Sequence, residues 1–293
     1  MEKTPNFIVD LHTHSTCSDG TLSPEKLVDE AADKGLKALA LTDHDTISGI
    51  DRAALQAQTR NVLFIPGVEI EIAWEPGEFH LLGLGLQNPT DEFKDALEEL
   101  ARFREQRNRE IVDRMNEMGI EADYDEIKEL SEGAVIGRPH FASFLVNRKI
   151  VKNKQQAFDS YLAKGRPFYS PKGSLELTQA IRLIKASGAI PILAHPLSLY
   201  VSWGKLPELI RDFHDQGIAG LEAWHPLARV AECERLEELG KSLGMVVTAG
   251  SDYHGATRQE RNLGYTAGKK PIDVSYMRGI PGTEQWFDRL STS

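Results

Sequence analysis

A short polar stretch near the N-terminus, residues 10–20, contains the residue types best suited to metal chemistry. The apolar run at residues 7–9 precedes it and is typical of a buried strand. Because side chains alternate along a strand, His12 and His14 are predicted to point the same way and to form half of a metal shell. Asp19 follows in the loop, where Gly20 permits the turn. An isolated His-x-His pair lies on the surface without binding a metal about as often as it binds one. The prediction of a metal site therefore depends on the later segments.

Further candidate ligands recur at or beside the ends of other predicted strands. The full set is His12, His14, Asp19, His44, Glu69, His80, His195, Asp252 and His254. Since one rim of an α/β barrel gathers the ends of its parallel strands, these side chains are expected to converge there. Nine ligands exceed the three that a catalytic zinc takes from a protein, so two to three divalent ions are predicted. Because nine such residues recur in this way, His12 and His14 are not predicted to be an isolated surface pair.

The ligand types indicate which metals and which reaction to expect. Mixed imidazole and carboxylate ligation suits manganese, which is the first choice, and also zinc or iron. Two or three neighbouring ions can activate water and stabilise the leaving oxygen of a phosphoester, which favours phosphoester over amide hydrolysis. The formal net charge of −10 argues against a broad basic surface for duplex DNA. Bound cations could still receive a phosphate locally.

The elements that would carry these residues follow an α/β pattern in two parts of the chain. Strands are predicted at residues 7–9, 37–41, 62–65, 79–86, 189–194, 220–224 and 245–249. Helices alternate with most of them, and the first begins with Ser23 as its N-cap and Pro24 in the first turn. From Asp91 to about Tyr169 the pattern becomes helical. The sequence therefore predicts a barrel from residues 1–90 and 170–293 and a helical insert from residues 91–169, while the tail after Gly268 has no clear pattern.

Composition is consistent with one large α/β unit carrying an insertion. The chain has 293 residues, of which 41% are hydrophobic. No apolar run approaches the roughly 18 residues needed to span a bilayer, and residues 1–5 lack the features of a signal peptide. Cys17 and Cys233 form neither a disulfide framework nor a CxxC zinc site. These observations predict a cytoplasmic protein with no membrane association and no evident obligate protein partner.

Five segments, in order, resemble the motifs of the PHP (polymerase and histidinol phosphatase) family. They are DLHTHSTCSDG, TDHDT, PGVEIE, LAHP and GSDYHG, within residues 6–87 and 188–268. The resemblance implies a distorted (β/α)7 barrel with a trinuclear metal site. It assigns His12, His14, Glu69 and Asp252 to the first metal, Glu69, His80 and His195 to the second, and Asp19, His44 and His254 to the third. Some members have His where this chain has Asp19, which implies weaker binding or a harder ion at the third position.

The insert resembles one PHP subfamily through GRPHFASFLV and AFDSYLAKGRPFYSPK. That subfamily contains the 3′,5′-nucleoside bisphosphate phosphatases, also described as 5′-to-3′ exoribonucleases. The resemblance implies a nucleotide or short single-stranded RNA substrate, with the insert as a substrate-binding cap and a metal-bridging hydroxide attacking the 3′-phosphoester. The expected catalytic residues are His12, Asp19, Glu69, His195 and Asp252.

Four residues are weaker candidates for substrate binding. They are Arg138, His140, Lys172 and His225. A guanidinium suits bidentate recognition of a phosphate, which favours Arg138 together with His140. Lys172 is equally compatible with a solvated charge, and His225 with a structural role. Asp43 and Asp45 flank a candidate ligand and could either orient it or cap their loops.

Two alternatives stay open from the sequence. A histidinol-phosphate phosphatase would use the same ligands, but the insert bearing GRPH favours nucleotides. A non-catalytic regulatory PHP module would be expected to have lost ligands, and none of the nine is missing.

Overall fold

The barrel is a sheet of seven strands whose spatial order follows their order in the chain. A computed structural model describes residues 7–130, 135–171 and 173–286. The strands are β1 (Val9–Asp10), β2 (Ala38–Leu41), β3 (Leu63–Ile72), β4 (Phe79–Leu84), β5 (Ile190–Leu193), β6 (Gly220–Trp224) and β7 (Val246–Ala249). Beyond the outer strands, a parallel bridge between Thr13 and Tyr253 nearly closes the sheet. The predicted distorted barrel is therefore confirmed.

Nine α-helices occur in the described ranges. They are α1 (Pro24–Asp33), α2 (Ile50–Arg60), α3 (Asp91–Glu117), α4 (Tyr124–Glu129), α5 (Arg138–Asn147), α6 (Lys154–Ala157), α7 (Leu177–Ala186), α8 (Leu206–Asp215) and α9 (Val230–Ser242). The start of α1 is as predicted, because the Ser23 hydroxyl accepts a hydrogen bond from the Lys26 N–H and Pro24 occupies the first turn. None of the helices in these ranges is both long and apolar enough to cross a bilayer.

β3 is longer than the sequence indicated, and Glu69 therefore lies inside a strand rather than at its end. The apolar run predicts a strand that stops before Pro66 and Gly67, but β3 continues through both residues. Its first half pairs with β2 and its second half with β4. A side chain at Gly67 would lie 2.9 Å from Thr42 Cγ2 and 3.1 Å from the carbonyl oxygen of Gly83. Gly67 is thus needed for close strand approach and does not end the strand.

β4 is the source of the distortion. It runs antiparallel to both β3 and β5, whereas the other neighbouring strands are parallel. An antiparallel strand presents its first residues at the rim where parallel strands present their last ones. His80, the second residue of β4, consequently lies beside Glu69.

The segment around Ile272, in the tail whose sequence has no clear pattern, pairs with the chain at β1. The Val9 N–H donates to the Ile272 carbonyl at 3.0 Å, and the Val274 N–H donates to the Phe7 carbonyl at 3.1 Å. Ile272 and Val274 are buried, as are Met277 and Ile280 further along. This segment therefore belongs to the hydrophobic core of the barrel.

The chain divides into two compact units, Met1–Ala96 with Ser174–Ser293 and Leu97–Gly173. The second unit is helical, as the periodicity of this region indicated, and has its own core of buried residues that includes Ile111, Met115, Phe141 and Phe144. Within this unit, α6 gives way to a π-helical turn at Phe158–Leu162. There the Ala163 N–H donates to the Phe158 carbonyl, one residue further back than in an α-helix.

Candidate metal centre

The carboxylate of Glu69 lies at the centre of a cluster of imidazoles. Its Oε2 atom is 3.2 Å from the Nε2 atoms of both His12 and His14, and 3.1 Å from His44 Nδ1. Its Oε1 atom is 2.8 Å from His80 Nδ1 and 3.0 Å from His195 Nε2. The two oxygens of one buried side chain therefore face two different sets of nitrogen donors, so Glu69 would be able to help hold more than one cation.

Asp252 and Asp19 supply the other carboxylates. Asp252 Oδ1 lies 3.1 Å from His14 Nε2 and 3.5 Å from His12 Nε2, on the side of Glu69 Oε2. Asp19 Oδ1 lies 3.2 Å from His254 Nε2 and 3.9 Å from His44 Nε2. Three groups of donor atoms result, His12–His14–Glu69–Asp252, His14–Asp19–His44–His254 and His44–Glu69–His80. His195 is in none of these groups, but its Nε2 atom contacts Glu69 Oε1, so all nine predicted ligand residues lie in one cluster.

The donor set fits divalent cations. Four buried ligand atoms make no hydrogen bond with any residue in the described ranges, namely His12 Nε2, His14 Nε2, Asp19 Oδ1 and Glu69 Oε2. A buried polar atom left without a partner costs roughly 1–3 kcal/mol, so four such atoms facing one another need a common partner. Cations satisfy several lone pairs at once, and imidazole with carboxylate is a donor set for manganese, zinc or iron.

The electrostatics of the cluster keep its carboxylates ionised. Burial alone would raise the pKa of Glu69, but the surrounding imidazoles, His44 foremost, hold it well below its usual range. The pKa of Asp252 is likewise low because His12 and His254 outweigh the effect of burial. Burial opposes protonation of His14, yet Asp252 and Glu69 raise its pKa to about 9. The carboxylates therefore draw positive charge into the centre, and a bound cation would replace the proton.

Hydrogen bonds outside the cluster orient the imidazoles toward it. His12 Nδ1 is 2.9 Å from Glu222 Oε1, and since an ionised carboxylate only accepts, Nδ1 carries the hydrogen and the Nε2 lone pair faces Glu69. His195 Nδ1 is 2.8 Å from Ser198 Oγ, whose hydroxyl donates to the carbonyl of Glu78. Both rings thus present Nε2 to the centre, as ligands positioned by neighbouring groups do.

Glu222 and Arg261 are positioning residues that the sequence analysis missed. Besides holding His12, Glu222 accepts the backbone N–H of His195 at 2.8 Å. Arg261 is buried and donates to the side chain and, at 2.8 Å, to the carbonyl oxygen of Asp252. A charged residue in the middle of the buried strand β6 was a visible signal for Glu222. The hydrophobic pattern of the sequence around Arg261 gave no indication of its role.

The carboxylate of Asp43 holds the loop after His14. Its oxygens accept hydrogen bonds from the Ser15 N–H at 2.7 Å, the Ser15 hydroxyl at 2.7 Å and the Ser18 hydroxyl at 2.6 Å. Of the two roles considered for this residue, loop capping is the one these bonds support. Asp45 Oδ1 accepts the N–H of Glu71 at 3.1 Å, which ties its loop to β3.

The backbone at the carboxyl ends of β5 and β7 is strained and crowded. His195 and Asp252 both have positive φ angles, 24° and 50°, a conformation that costs roughly 1–3 kcal/mol and clusters at functional sites. At Gly250 an added Cβ would lie 2.3 Å from His12 Cβ and 2.6 Å from Glu222 Oε1. Only glycine leaves room there for His12 and Glu222.

The predicted substrate-binding residues have different surroundings. His225 is buried, its Nε2 lies 3.1 Å from Asp252 Oδ2 and its Nδ1 accepts the N–H of Leu227, so it supports a ligand. Arg138 is the first residue of α5, and His140 Nδ1 accepts the Gly137 N–H at 3.0 Å, which closes that helix start. Lys172 lies outside the described residues. Their contact with substrate stays a prediction.

Replacing Glu222 by Gln is expected to weaken metal binding roughly 10- to 100-fold, the usual cost of changing a residue that orients a ligand. The amide keeps the shape of the side chain but loses the charge that holds the hydrogen on His12 Nδ1. Metal titration followed by calorimetry measures the effect. Glu237→Gln is the matched control, because Glu237 contacts Trp224 and Lys241 instead of a ligand. Unchanged affinity in the Glu222 variant would mean that this carboxylate supports only the fold.

A cavity of about 300 Å³ opens onto the cluster. His44, Glu69, His80, His195 and Asp252 line the side formed by the cluster. Its volume is at the lower end of the range for small-molecule sites. The centre is therefore accessible to a small ligand from solvent.

Comparison with known proteins supports the same family as the motifs. The family model of the PHP domain matches residues 10–178. A 5′-3′ exoribonuclease of Haemophilus influenzae is 37% identical over 245 residues, which are 84% of this chain and 89% of that protein. A 3′,5′-nucleoside bisphosphate phosphatase of Chromobacterium violaceum is 30% identical over 265 residues, 90% of this chain and 93% of that protein.

A solved structure with the same fold is a protein from Bifidobacterium adolescentis described as a metal-dependent phosphoesterase. It superposes with a TM-score of 0.81 at 26% sequence identity, covering 95% of this chain and 96% of that chain. The family model covers more than half of the 293 residues, and the relatives align over most of their lengths. The chain therefore belongs to the PHP domain family.

Proposed function

We propose that this chain is a metal-dependent phosphoesterase that hydrolyses the 3′-phosphoester of nucleoside 3′,5′-bisphosphates and of short 5′-phosphorylated RNA. On RNA this activity is that of a 5′-to-3′ exoribonuclease. The observation that carries the phosphoesterase assignment is Glu69, whose two oxygens each face a separate set of imidazole donors. The choice of substrate is supported by the names of the relatives from Haemophilus influenzae and Chromobacterium violaceum.

Two to three divalent ions, manganese first among them, are the proposed cofactors. Bound ions of this kind supply an activated water and stabilise the charge that develops on the phosphoryl oxygens. The chain's own contribution is to hold the donors in place, through Glu222 at His12 and His195 and through Arg261 at Asp252. Because these contacts exist before substrate arrives, little reorganisation is needed during the reaction.

Arg138 and His140 are proposed to bind the phosphate that is not hydrolysed. Both lie at the start of α5 in the helical unit. A guanidinium forms paired, charge-assisted hydrogen bonds with phosphate oxygens, which makes Arg138 the stronger candidate. Lys172 and His225 are assigned to the same substrate, His225 through its place in the lining of the cavity.

The two alternatives have less support. A histidinol-phosphate phosphatase would share the ligand cluster, but the relatives described above are named for nucleotide and RNA substrates. A regulatory module without activity would be expected to lack ligands, and here all nine ligand residues are present and their donor atoms converge. A catalytic role is the simpler explanation of an intact cluster with an open cavity.

Hydrolysis assays on manganese-loaded protein test the proposal, with release of inorganic phosphate measured for the phosphomonoesters and release of 5′-mononucleotides measured for the RNA. The substrates are adenosine 3′,5′-bisphosphate, AMP, histidinol phosphate and a short 5′-phosphorylated RNA. Preference for the bisphosphate and the RNA supports the proposed function. Preference for histidinol phosphate would replace it with the alternative phosphatase, and no release from any substrate would support the regulatory module.

The polarity of the reaction gives a second expected result. If the 5′-phosphate is the group that is gripped, the bond to the 3′ oxygen is the one hydrolysed. Adenosine 3′,5′-bisphosphate then yields the 5′-monophosphate and phosphate, and RNA yields 5′-mononucleotides from its 5′ end. Chromatography of the products distinguishes 5′- from 3′-AMP, and recovery of the 3′ isomer would mean that the substrate binds in the opposite orientation.

A further inference from the structure

Two of the three most exposed large apolar side chains in the described ranges line the cavity at the metal centre. Tyr200 is 74% exposed and Leu227 is 66% exposed, while the third, Leu55, is 69% exposed and lies on α2 away from this cavity. Large apolar side chains usually lose most of their exposure on folding. Large apolar side chains that stay exposed at a concave site indicate a surface that contacts a ligand.

The two side chains follow different strands. Tyr200 lies after β5, directly beyond a short 3-10 turn at Pro196–Leu199, and Leu227 lies after β6. The carboxyl ends of barrel strands carry the loops that bind substrate. Both residues line the cavity together with the ligands His195 and Asp252.

Local structure constrains the backbone at both positions. Tyr200 has a φ of 52°, a left-handed conformation that is rare for a bulky residue and that tends to occur at functional sites. The N–H of Leu227 donates to His225 Nδ1 at 3.3 Å, and His225 contacts Asp252. The backbone of Leu227 is therefore linked through His225 to Asp252 in the cluster.

The cavity also carries a cationic side chain. Arg258, after β7, lines it and is exposed, and its guanidinium makes no hydrogen bond or ion pair with the residues at 7–130, 135–171 or 173–286. By contrast, Arg261 three residues later is buried against Asp252. A ligand that combines a flat apolar part with negative charge suits Tyr200, Leu227 and Arg258 together, and a nucleotide has this chemistry.

We infer that Tyr200 and Leu227 form a clamp for the nucleobase next to the hydrolysed phosphoester. This inference rests on the proposed function, which it deepens by placing base recognition in the barrel unit. An aromatic ring stacks on any base because every base has a π-face, so the clamp is expected to bind with little sequence preference. That property suits an enzyme that removes successive nucleotides from RNA of any sequence.

The test compares two substrates that differ only in the base, 2′-deoxyadenosine 3′,5′-bisphosphate and 1,2-dideoxyribose 3,5-bisphosphate. Stacking on an aromatic side chain is worth roughly 5- to 150-fold per base. Tyr200→Ala is therefore expected to lower kcat/KM for the nucleotide by about this factor and to leave the abasic compound unchanged. Tyr200→Phe keeps the ring and should behave as the unmodified protein. Leu227→Ala should show a smaller loss, roughly threefold to tenfold, confined to the nucleotide.

Leu55→Ala is the matched control, since it removes an equally exposed leucine outside the cavity. Metal content and thermal stability are measured for every variant. Equal losses on the two substrates, or no loss on either, would overturn the clamp.

A binding measurement separates this inference from the proposed function. Calorimetry compares 2′-deoxyadenosine 5′-monophosphate with inorganic phosphate on the metal-loaded protein. Tyr200→Ala should weaken binding of the nucleotide and leave phosphate binding unaltered. If the unmodified protein hydrolyses neither bisphosphate, the proposed function fails. The binding comparison still shows whether Tyr200 contacts the base. Equal affinity of the unmodified protein and Tyr200→Ala for the nucleotide would overturn it.

Discussion

Glu69→Ala should abolish turnover, with kcat/KM falling about a thousandfold or more. Stabilisation of charge by catalytic cations is worth several kcal/mol, and each 1.36 kcal/mol is a factor of ten in rate. Removing this side chain takes away the oxygens that contact His12, His14, His44, His80 and His195. Metal analysis of the purified variant should show fewer bound ions than in the unmodified protein. Steady-state phosphate release measures the loss.

Glu92→Ala is the control for that experiment. Glu92 is exposed and pairs with Arg182 on α7, so its removal deletes a carboxylate without touching the cluster. Surface pairs of this kind contribute about 0–1 kcal/mol, and activity should be unchanged. Full activity of the Glu69 variant, or of the unmodified protein after exhaustive chelation, would contradict the metal mechanism.

Arg138→Ala should lower kcat/KM about 10- to 150-fold, but only for substrates that carry a 5′-phosphate. A charge-assisted bond to a phosphate is worth roughly 1.5–3 kcal/mol, which sets this range. A small phosphodiester without a 5′-phosphate should be hydrolysed almost as fast as before. Metal content should be unaltered, because Arg138 belongs to neither the donor set nor the residues that orient it.

Arg148→Ala provides the matched control at the other end of the same helix. Arg148 caps α5 and pairs with Glu126 on α4, both partly exposed. Its loss should affect the two substrate types equally and only slightly. If Arg138→Ala penalised both substrates to the same extent, or lost metal, Arg138 would be a residue that supports the helical unit rather than one that reads the phosphate.

The sequence predicted the residues of the site better than the elements that carry them. Histidine and carboxylate side chains next to short apolar runs mark strand ends, and that local signal was enough to group His12 with His195 and Asp252. It was wrong about Glu69, because Pro66 and Gly67 are typical of a strand end. Here the close approach of Thr42 makes glycine necessary inside β3. A composition rule could not reveal this packing requirement.

Local sequence patterns could not predict the direction of a strand or the contacts between residues that are distant in the sequence. Alternation identifies a strand but is the same in both directions, so the reversal of β4 was not predictable from it. Arg261 and the tail around Ile272 have partners far away in sequence, at Asp252 and in β1. Glu222 is different, because an acidic residue in a buried apolar strand requires a partner and could have been recognised.

The closure of the barrel also determines when the centre can form during synthesis. The carboxylate of Asp10 accepts the N–H groups of Ser251 at 3.0 Å and of Gly264 at 2.7 Å, partners 241 and 254 positions away. Contacts so distant along the chain slow folding, since a long loop must close first. A growing chain exposes His12 and His14 early but lacks Asp252 until 240 residues later. The complete centre is therefore expected to form only after Asp252 has been added, so it cannot guide the first stages of folding.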